Sequence, residues 1–408
     1  MLAAAIRARG NRSCTSSSCR SALVLFENYQ SPWLDEELKI LQDAAQRFYQ
    51  KEFVPLNEKW IEQGIVDRDA WLKAGEAGLL CAEIPTEYGG GGGDYRHETV
   101  IMEEMLRAGV SGFGNQVHSS IVVPYIFHYG NEEQKQRWLP KMASGEMVGA
   151  IAMTEPNTGS DLQNIRSTAI RDGDDYVING AKTYISNGQH ADLVIVVVKT
   201  DPTEGAKGIS LIVVETEGNP GFERGRNLKK MGQKSADTSE LFFADCRIPV
   251  TNRLGDEEGK GFYQLMQQLP QERLSIAQSA VVSMERAIEI TLEFVKDRKV
   301  FGRRVLDFQN TKFKLAECKT EALIARTFVD QCLIKHLDKE LDATTASMAK
   351  YWCTQKQCEI VDECLQLHGG AGYMDEYEIS RLYTDARVQK IYGGTNEIMK
   401  ELIGRTLG

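Results

Sequence analysis

The stretch Ile151, Ala152, Met153, Thr154, Glu155, Pro156, Asn157, Thr158, Gly159, Ser160, Asp161 runs from an apolar strand end into a loop of hydroxyl and amide side chains. Pro156 removes a backbone donor and Gly159 permits dihedrals that other residues avoid. Nearby N–H groups and the Thr154, Thr158 and Ser160 hydroxyls are thereby free to hold a polar ligand. Such a loop can cradle a phosphate or the edge of a heterocycle; it can also be an ordinary β-loop. Further on, Lys182-Thr-Tyr-Ile-Ser-Asn-Gly188 sets the Tyr184 ring and the Ser186 hydroxyl on one face of a strand through Ile185. That suits a flat heterocycle, or else a core tyrosine. Arg298, in Asp297-Arg-Lys-Val-Phe-Gly-Arg303, reads as a guanidinium for a pyrophosphate or as a cation complementing a helix C-terminus. Gln366-Leu367-His368-Gly369-Gly370 and Ile391-Tyr-Gly393-Gly394-Thr395-Asn396-Glu397 are glycine breaks in helical surroundings, where backbone can approach a ligand or cap a helix.

Three kinds of element must position these residues. From Leu34 to Met147 the apolar spacing is helical, as in Leu38, Leu41, Ala45 and Phe48, and Asn131 with Gln134 forms a capping-box pattern. Gly89 to Gly93 reads as a flexible loop; with no strand before it and no G-x-G-x-x-G spacing, it is not a dinucleotide fingerprint. From Ala150 to about Val250 the period changes to two. Asp172-Gly173 and Asn179-Gly180 read as turns between strands at Tyr176–Ile178, Thr183–Ile185, Leu193–Val198, Ile209–Val214 and Leu241–Phe243, a compact antiparallel sandwich or barrel. After Gly261 the helical period returns, with Ala277, Val281, Met284, Ile288 and Leu292 on one stripe and further helices over 314–336, 343–368 and 395–403. The expected division is a leader at 1–30, a helical domain at 31–148, a β-domain at 149–255 and a second helical domain at 256–408.

Composition narrows the function. A net charge of -10 over 408 residues argues against a nucleic-acid backbone as partner. The nine cysteines include no C-x-x-C and read as thiols of a reducing compartment. The six histidines lack the spacing of a catalytic metal site, and no serine nucleophile elbow is present. Gly255 to Gly261 has one residue too few for a phosphate loop and ends on Gly where Ser or Thr is needed. Apolar runs such as Val194–Val198 fall far short of the ~20 residues of a membrane span. Arg7, Arg9, Arg12 and Arg20 lie among serines with no acid before Glu27, the composition of a mitochondrial transit peptide or of a disordered arm.

In this combination and order the motifs resemble those of the acyl-CoA dehydrogenase family, from about residue 31 to the C-terminus. Met153-Thr-Glu-Pro, Tyr-Ile-Ser-Asn-Gly, Arg-Lys-x-Phe-Gly, Gln-x-x-Gly-Gly and Tyr-Gly-Gly-Thr are colinear with the family's. The resemblance implies an α+β fold: a helical N-terminal domain, a central antiparallel β-domain and a C-terminal four-helix bundle, with FAD between the sheet and the last helices. It implies a homotetramer of paired dimers in which Gln366 to Gly370 reach the neighbouring subunit's FAD. Ile151 to Ser160 would wrap the flavin, with Ser160 also on the coenzyme A side. Tyr184, Ile185 and Ser186 would line the ring, Arg298 and Gln309 would take the phosphate and adenine end, and Thr395, Asn396 and Glu397 would close over the cofactor. Tyr263, Arg273, Gly393 and Gly394 fall at substrate positions. The departures are Asn157-Thr158 where Gly-Ala is frequent, and Tyr184 where Trp or Phe is usual.

Short- and medium-chain members carry their catalytic base just before Gly-Thr, where this chain has Gly393. Long-chain and isovaleryl-type members carry a glutamate at the start of the first C-terminal helix, matched here by Glu272 in Leu269-Pro-Gln-Glu-Arg273. Leu269, Leu274 and Ile276 would raise its pKa toward that of a working base; the plain reading is an acid in the first turn behind Pro270. Glu272 would then take the α-proton of an acyl-CoA while a β-hydride leaves for flavin. The thioester oxygen would be held by the Gly393 N–H and a ribityl hydroxyl, and electrons would pass on to electron-transfer flavoprotein. The Leu-Pro-Gln-Glu-Arg and C-terminal segments look most like those of long-chain members, and Gly112, Gly114, Ser119 and Ser120 are compatible with a deep acyl tunnel. A branched-chain substrate, an oxygen-using flavin oxidase or monooxygenase, and a silent scaffold on the same fold are the alternatives.

Overall fold

Asp35 opens the first helix, its carboxylate accepting from the Leu38 amide at 3.0 Å, in a computed structural model that describes residues 25–26 and 29–408. The expected leader lies outside the described residues apart from Leu25, Phe26, Tyr29 and Gln30. The N-terminal helices are α1 (Glu36–Phe48), α2 (Asn57–Gln63), α3 (Asp69–Glu76), α4 (Tyr95–Arg107), α5 (Val123–Tyr129) and α6 (Glu132–Ala143). At the head of α6 the capping box forms as read: the Gln134 amide donates to Asn131 Oδ1 and the Asn131 amide to Gln134 Oε1, both at 2.9 Å. The Gly89–Gly93 run is tied down. The Gly91, Gly92 and Gly93 amides donate to the Cys81, Ile84 and Ala82 carbonyls, and a Cβ at Gly90 or Gly91 would strike that backbone within 3 Å. Its glycines serve close chain approach where a flexible loop was expected.

The strands are β1 (Gly149–Ala152), β2 (Thr168–Asp172), β3 (Asp175–Ser186), β4 (Leu193–Lys199), β5 (Ile209–Glu215), β6 (Phe222–Asn227) and β7 (Thr238–Pro249). They form one sheet in the order β1-β4-β2-β3-β7-β6, with β5 on β4. Most pairs are antiparallel, but β1 and β2 run parallel to β4, since the β2–β3 hairpin intervenes in sequence. Asp172-Gly173 makes the expected turn, with Gly173 at φ 66°. Asn179-Gly180 does not. Strand β3 runs through it with a bulge against β7, and a Cβ at Gly180 would lie 2.2 Å from Ser167 Oγ; the glycine admits a neighbouring chain instead of a reversal.

The C-terminal helices are α7 (Gly261–Asp297), α8 (Gln309–Leu337), α9 (Ala343–His368), α10 (Glu378–Gln389) and α11 (Asn396–Gly404). Helix α7 is ~55 Å long at 1.5 Å per residue, and it packs on α4, α8, α9 and α10. Its apolar stripe, with Ala277, Val281, Met284 and Ile288 all fully buried, forms the spine of the helical core. Two buried polar joints tie the β-domain to the helices. His118 accepts from the Gly149 amide at 2.9 Å through Nδ1 and donates to the Met142 carbonyl at 3.1 Å through Nε2. Asn187 donates to the Gly114 and Gly149 carbonyls. Among the described residues no helix is long and apolar enough to cross a membrane.

Candidate active site

Glu272 lies about three turns into α7, not in its first turn as the sequence suggested, so its charge gains nothing from the helix N-terminus. Helix α7 runs through Pro270, and the carboxyl is 5% exposed. Its Oε1 accepts from Tyr125 OH at 2.8 Å; among the described residues Oε2 has no protein donor. Burial pushes the Glu272 pKa up, opposed by the tyrosine hydrogen bond and by Arg273. A carboxylate held by one oxygen, with the other free and its proton affinity raised, is set up to accept a proton.

One turn further on α7, Ile276 meets the Gly393-Gly394 turn, where a Cβ at Gly393 would lie 2.3 Å from Ile276 Cδ1. Gly393 and Gly394 have φ of 63° and 91°, so both need the freedom of glycine. Among the described residues the Gly393 amide donates to no protein acceptor. A free N–H thus stands beside the helix face that carries Glu272. Arg273 is 5% exposed and donates to Ser347 on α9 at 3.1 Å, while its buried Nε has no protein partner among the described residues. Tyr263 is 63% exposed near the start of α7.

The Ile151–Ser160 segment divides into anchors and free groups. Ala152 is core. Glu155, 6% exposed, does not face outward: its carboxylate accepts from the Arg166 and Ser167 amides and from Lys182 Nζ at 2.8 Å. Burial would raise the Glu155 pKa, but Lys182 and those donors hold it down; burial pulls Lys182 down to about 8. Glu155 and Thr158 pair through both backbone hydrogen bonds. That leaves Pro156, Asn157, Gly159 and Ser160 exposed, with the Thr154 hydroxyl and the Gly159 and Ser160 amides free of protein partners among the described residues. Lys182→Met should strand the Glu155 charge and cost about 3–5 kcal/mol of stability, read as a lowered Tm together with a lower cofactor content.

Strand β3 prepares a matching face. Tyr184, inside a register shift between Lys182 and Ile185, has φ 59°, and Asn187, just past the strand, has φ 61°. Backbone strain of this kind gathers at ligand sites. Tyr184 is 69% exposed, Ser186 is half-buried and Ile185 is packed in the β-domain core, so Ile185 can offer a ligand only its backbone. Asn396 is likewise an anchor. It is 2% exposed and bonded to Lys350 and Thr354, while Thr395 caps α11 and Glu397 is exposed.

A cleft of about 520 Å³ lies at the far end of α7 and is lined by Phe294, Arg298, His368 and Tyr377 among others. His368 stacks on Phe294 at 4.4 Å and its Nδ1 donates to the Cys364 carbonyl. Gln309, Gln366, Gly369 and Gly370 are exposed and Leu367 is half-buried. No residue of the Ile151–Ser160 loop lines this cleft. The expected tunnel glycines sit elsewhere. A Cβ at Gly112 would strike Ser235, and one at Gly114 would strike Asn187, so both serve the joint between helices and sheet. Tyr125 and Lys350, which touch the site most directly, carry no motif and were missed.

The helix-sheet-helix order and the buried glutamate beside a glycine turn define an acyl-CoA dehydrogenase, and the chain belongs to that family: the N-terminal, middle and C-terminal domain models of acyl-CoA dehydrogenase match residues 35–146, 150–246 and 259–408. The chain is 50% identical over 373 residues to the mitochondrial long-chain specific acyl-CoA dehydrogenase of Mus musculus, covering 91% of this chain and 86% of that protein. An acyl-CoA dehydrogenase of Geobacillus kaustophilus superposes with a TM-score of 0.91 at 49% identity, over 93% of this chain and 100% of that one. A glutaryl-CoA dehydrogenase of Mycobacterium smegmatis in complex with FADH2 superposes at 0.86 with 28% identity, over 94% and 97%. The protein is an FAD-dependent acyl-CoA dehydrogenase. The exposed Tyr184 ring, the free Thr154 hydroxyl and the unpaired loop amides fit a flat polar cofactor.

Proposed function

We propose that the protein oxidises long-chain acyl-CoA thioesters to trans-2-enoyl-CoA in fatty acid β-oxidation, with Glu272 as the base. The observation that supports this reading is that the Gly393-Gly394 turn, with its free Gly393 amide, meets α7 at Ile276, one turn from the buried Glu272 carboxylate. Glu272 breaks the α-C–H bond and keeps its proton. The Gly393 N–H holds the thioester oxygen as negative charge gathers there. Bound FAD supplies a hydride acceptor for the β-carbon. Thr154, Ser160 and Tyr184 orient the ring, and Arg298, Gln309 and the Gln366–Gly370 segment would serve the cofactor of a second copy in a homotetramer. A panel of acyl-CoAs of graded length and branching, read by flavin bleaching, tests the substrate: long straight chains should bleach fastest, and preference for isovaleryl-CoA would move the protein to the branched-chain class.

The name of the long-chain relative supports mitochondrial location; location in the matrix and transfer of electrons to electron-transfer flavoprotein complete the proposal. Leu25 is 5% exposed and Tyr29 donates to Asp330 at 2.8 Å, so a leader should be cut before Leu25; the mature N-terminus tests it. Tyr125→Phe removes a donor that favours the ionised form of Glu272, so the Glu272 pKa should rise further. Activity requires the ionised base. The acid limb of the kcat/KM profile should therefore move to higher pH, and a move to lower pH would contradict the assignment.

A further inference from the structure

Lys350, two turns into α9, is fully buried. Its Nζ donates to the Gly394 carbonyl at 2.6 Å and to Asn396 Oδ1 at 3.1 Å. Asn396 is itself fixed by Thr354, one turn along α9. Also on α9, Ser347 holds the guanidinium of Arg273, the residue after Glu272. One helix thus grips both sides of the site, the base-bearing stretch of α7 and the glycine turn. A buried lysine is costly where a methionine would fill the space, and this one spends its donors on the exit of a turn whose two residues both have positive φ. Glycines have no side chain to lock their own conformation. An external donor on the Gly394 carbonyl does so for them.

We infer that Lys350 is a positioning residue for dehydrogenation, fastening the Gly393-Gly394 turn so that the Gly393 amide is pre-aimed at the thioester oxygen. The inference rests on the proposed roles of Glu272 and Gly393. Preorganised donors act on charge that develops in the transition state, so loosening one should lower kcat with little effect on ground-state binding.

The test uses the FAD-loaded full-length protein and a 3-thiaacyl-CoA, which can lose its α-proton but has no β-hydride to give. Its enolate, stacked on oxidised flavin, is read as long-wavelength charge-transfer absorbance. Lys350→Met should lower that absorbance per bound flavin, and kcat for acyl-CoA, by about 10-fold or more, with KM within about threefold. Lys350→Gln, which keeps an N–H donor group, should recover part of both. It also serves in place of Lys350→Met if the latter fails to fold. A full-strength band per bound flavin in either variant, with only stability or FAD content reduced, would show Lys350 to be merely structural and overturn the inference. Absence of the band from the wild-type protein would instead overturn the roles of Glu272 and Gly393, and the inference with them.

Discussion

Glu272→Gln is expected to lower the rate of flavin bleaching by roughly 10²- to 10⁴-fold, the scale of positioned general-base catalysis. The amide keeps the shape of the carboxylate and can still accept from Tyr125 OH, which sits 2.8 Å from Oε1. FAD content and Kd for acyl-CoA should therefore change little, and the loss should fall on kcat. The surroundings supply the reason for so large an effect. Burial raises the proton affinity of Glu272, and no second carboxylate replaces it at position 393, where the chain has glycine. A variant that bleached at near wild-type speed would place the base elsewhere.

Gly393→Ala should be nearly as damaging, by about 10²-fold in kcat, the cost of misplacing an oxyanion donor. Two physical causes combine. The residue has φ 63°, a conformation costing an alanine about 1–2 kcal/mol, and its Cβ would lie 2.3 Å from Ile276 Cδ1. Ile276→Val removes that carbon. The double variant Gly393→Ala with Ile276→Val should therefore regain about 10-fold over Gly393→Ala, a coupling that only residues in contact show. Simple additivity of the two single effects would mean that the turn and α7 do not meet. The same contact bears on a transplanted base: Gly393→Glu with Glu272→Gly must also displace Ile276, so any recovered activity should rise when Ile276 is trimmed.

Glu272 could be proposed from the sequence because a motif carries it and because glycine at 393 leaves the alternative position empty. The loop at 151–160 could be proposed as a ligand loop, but not which of its side chains turn inward: Glu155 matches the motif yet serves as the buried anchor of Lys182. Ile185 and Asn396 show the same limit. Each lies beside an exposed neighbour, Tyr184 or Glu397, and turns inward, a distinction made by tertiary packing and not by order along the chain. Tyr125 and Lys350 were invisible for a related reason. Tyr125 reaches Glu272 across 147 positions, and a lysine within a helical pattern reads as solvated surface until the turn it holds is placed against it. Asn179-Gly180 and Gly89–Gly93 were read as a turn and a flexible loop because glycine signals backbone freedom, whereas here it makes room for neighbouring chain.

The central claim is that the Glu272 carboxylate itself removes the α-proton, and proton exchange measures that step apart from everything after it. In deuterium oxide the FAD-loaded wild-type protein should exchange the α-hydrogen of a 3-thiaacyl-CoA, detected by mass spectrometry as a rise in the mass of the recovered thioester. Glu272→Gln, with full FAD content and unchanged ligand affinity, should leave that hydrogen in place. Exchange by Glu272→Gln at the wild-type rate would contradict the account.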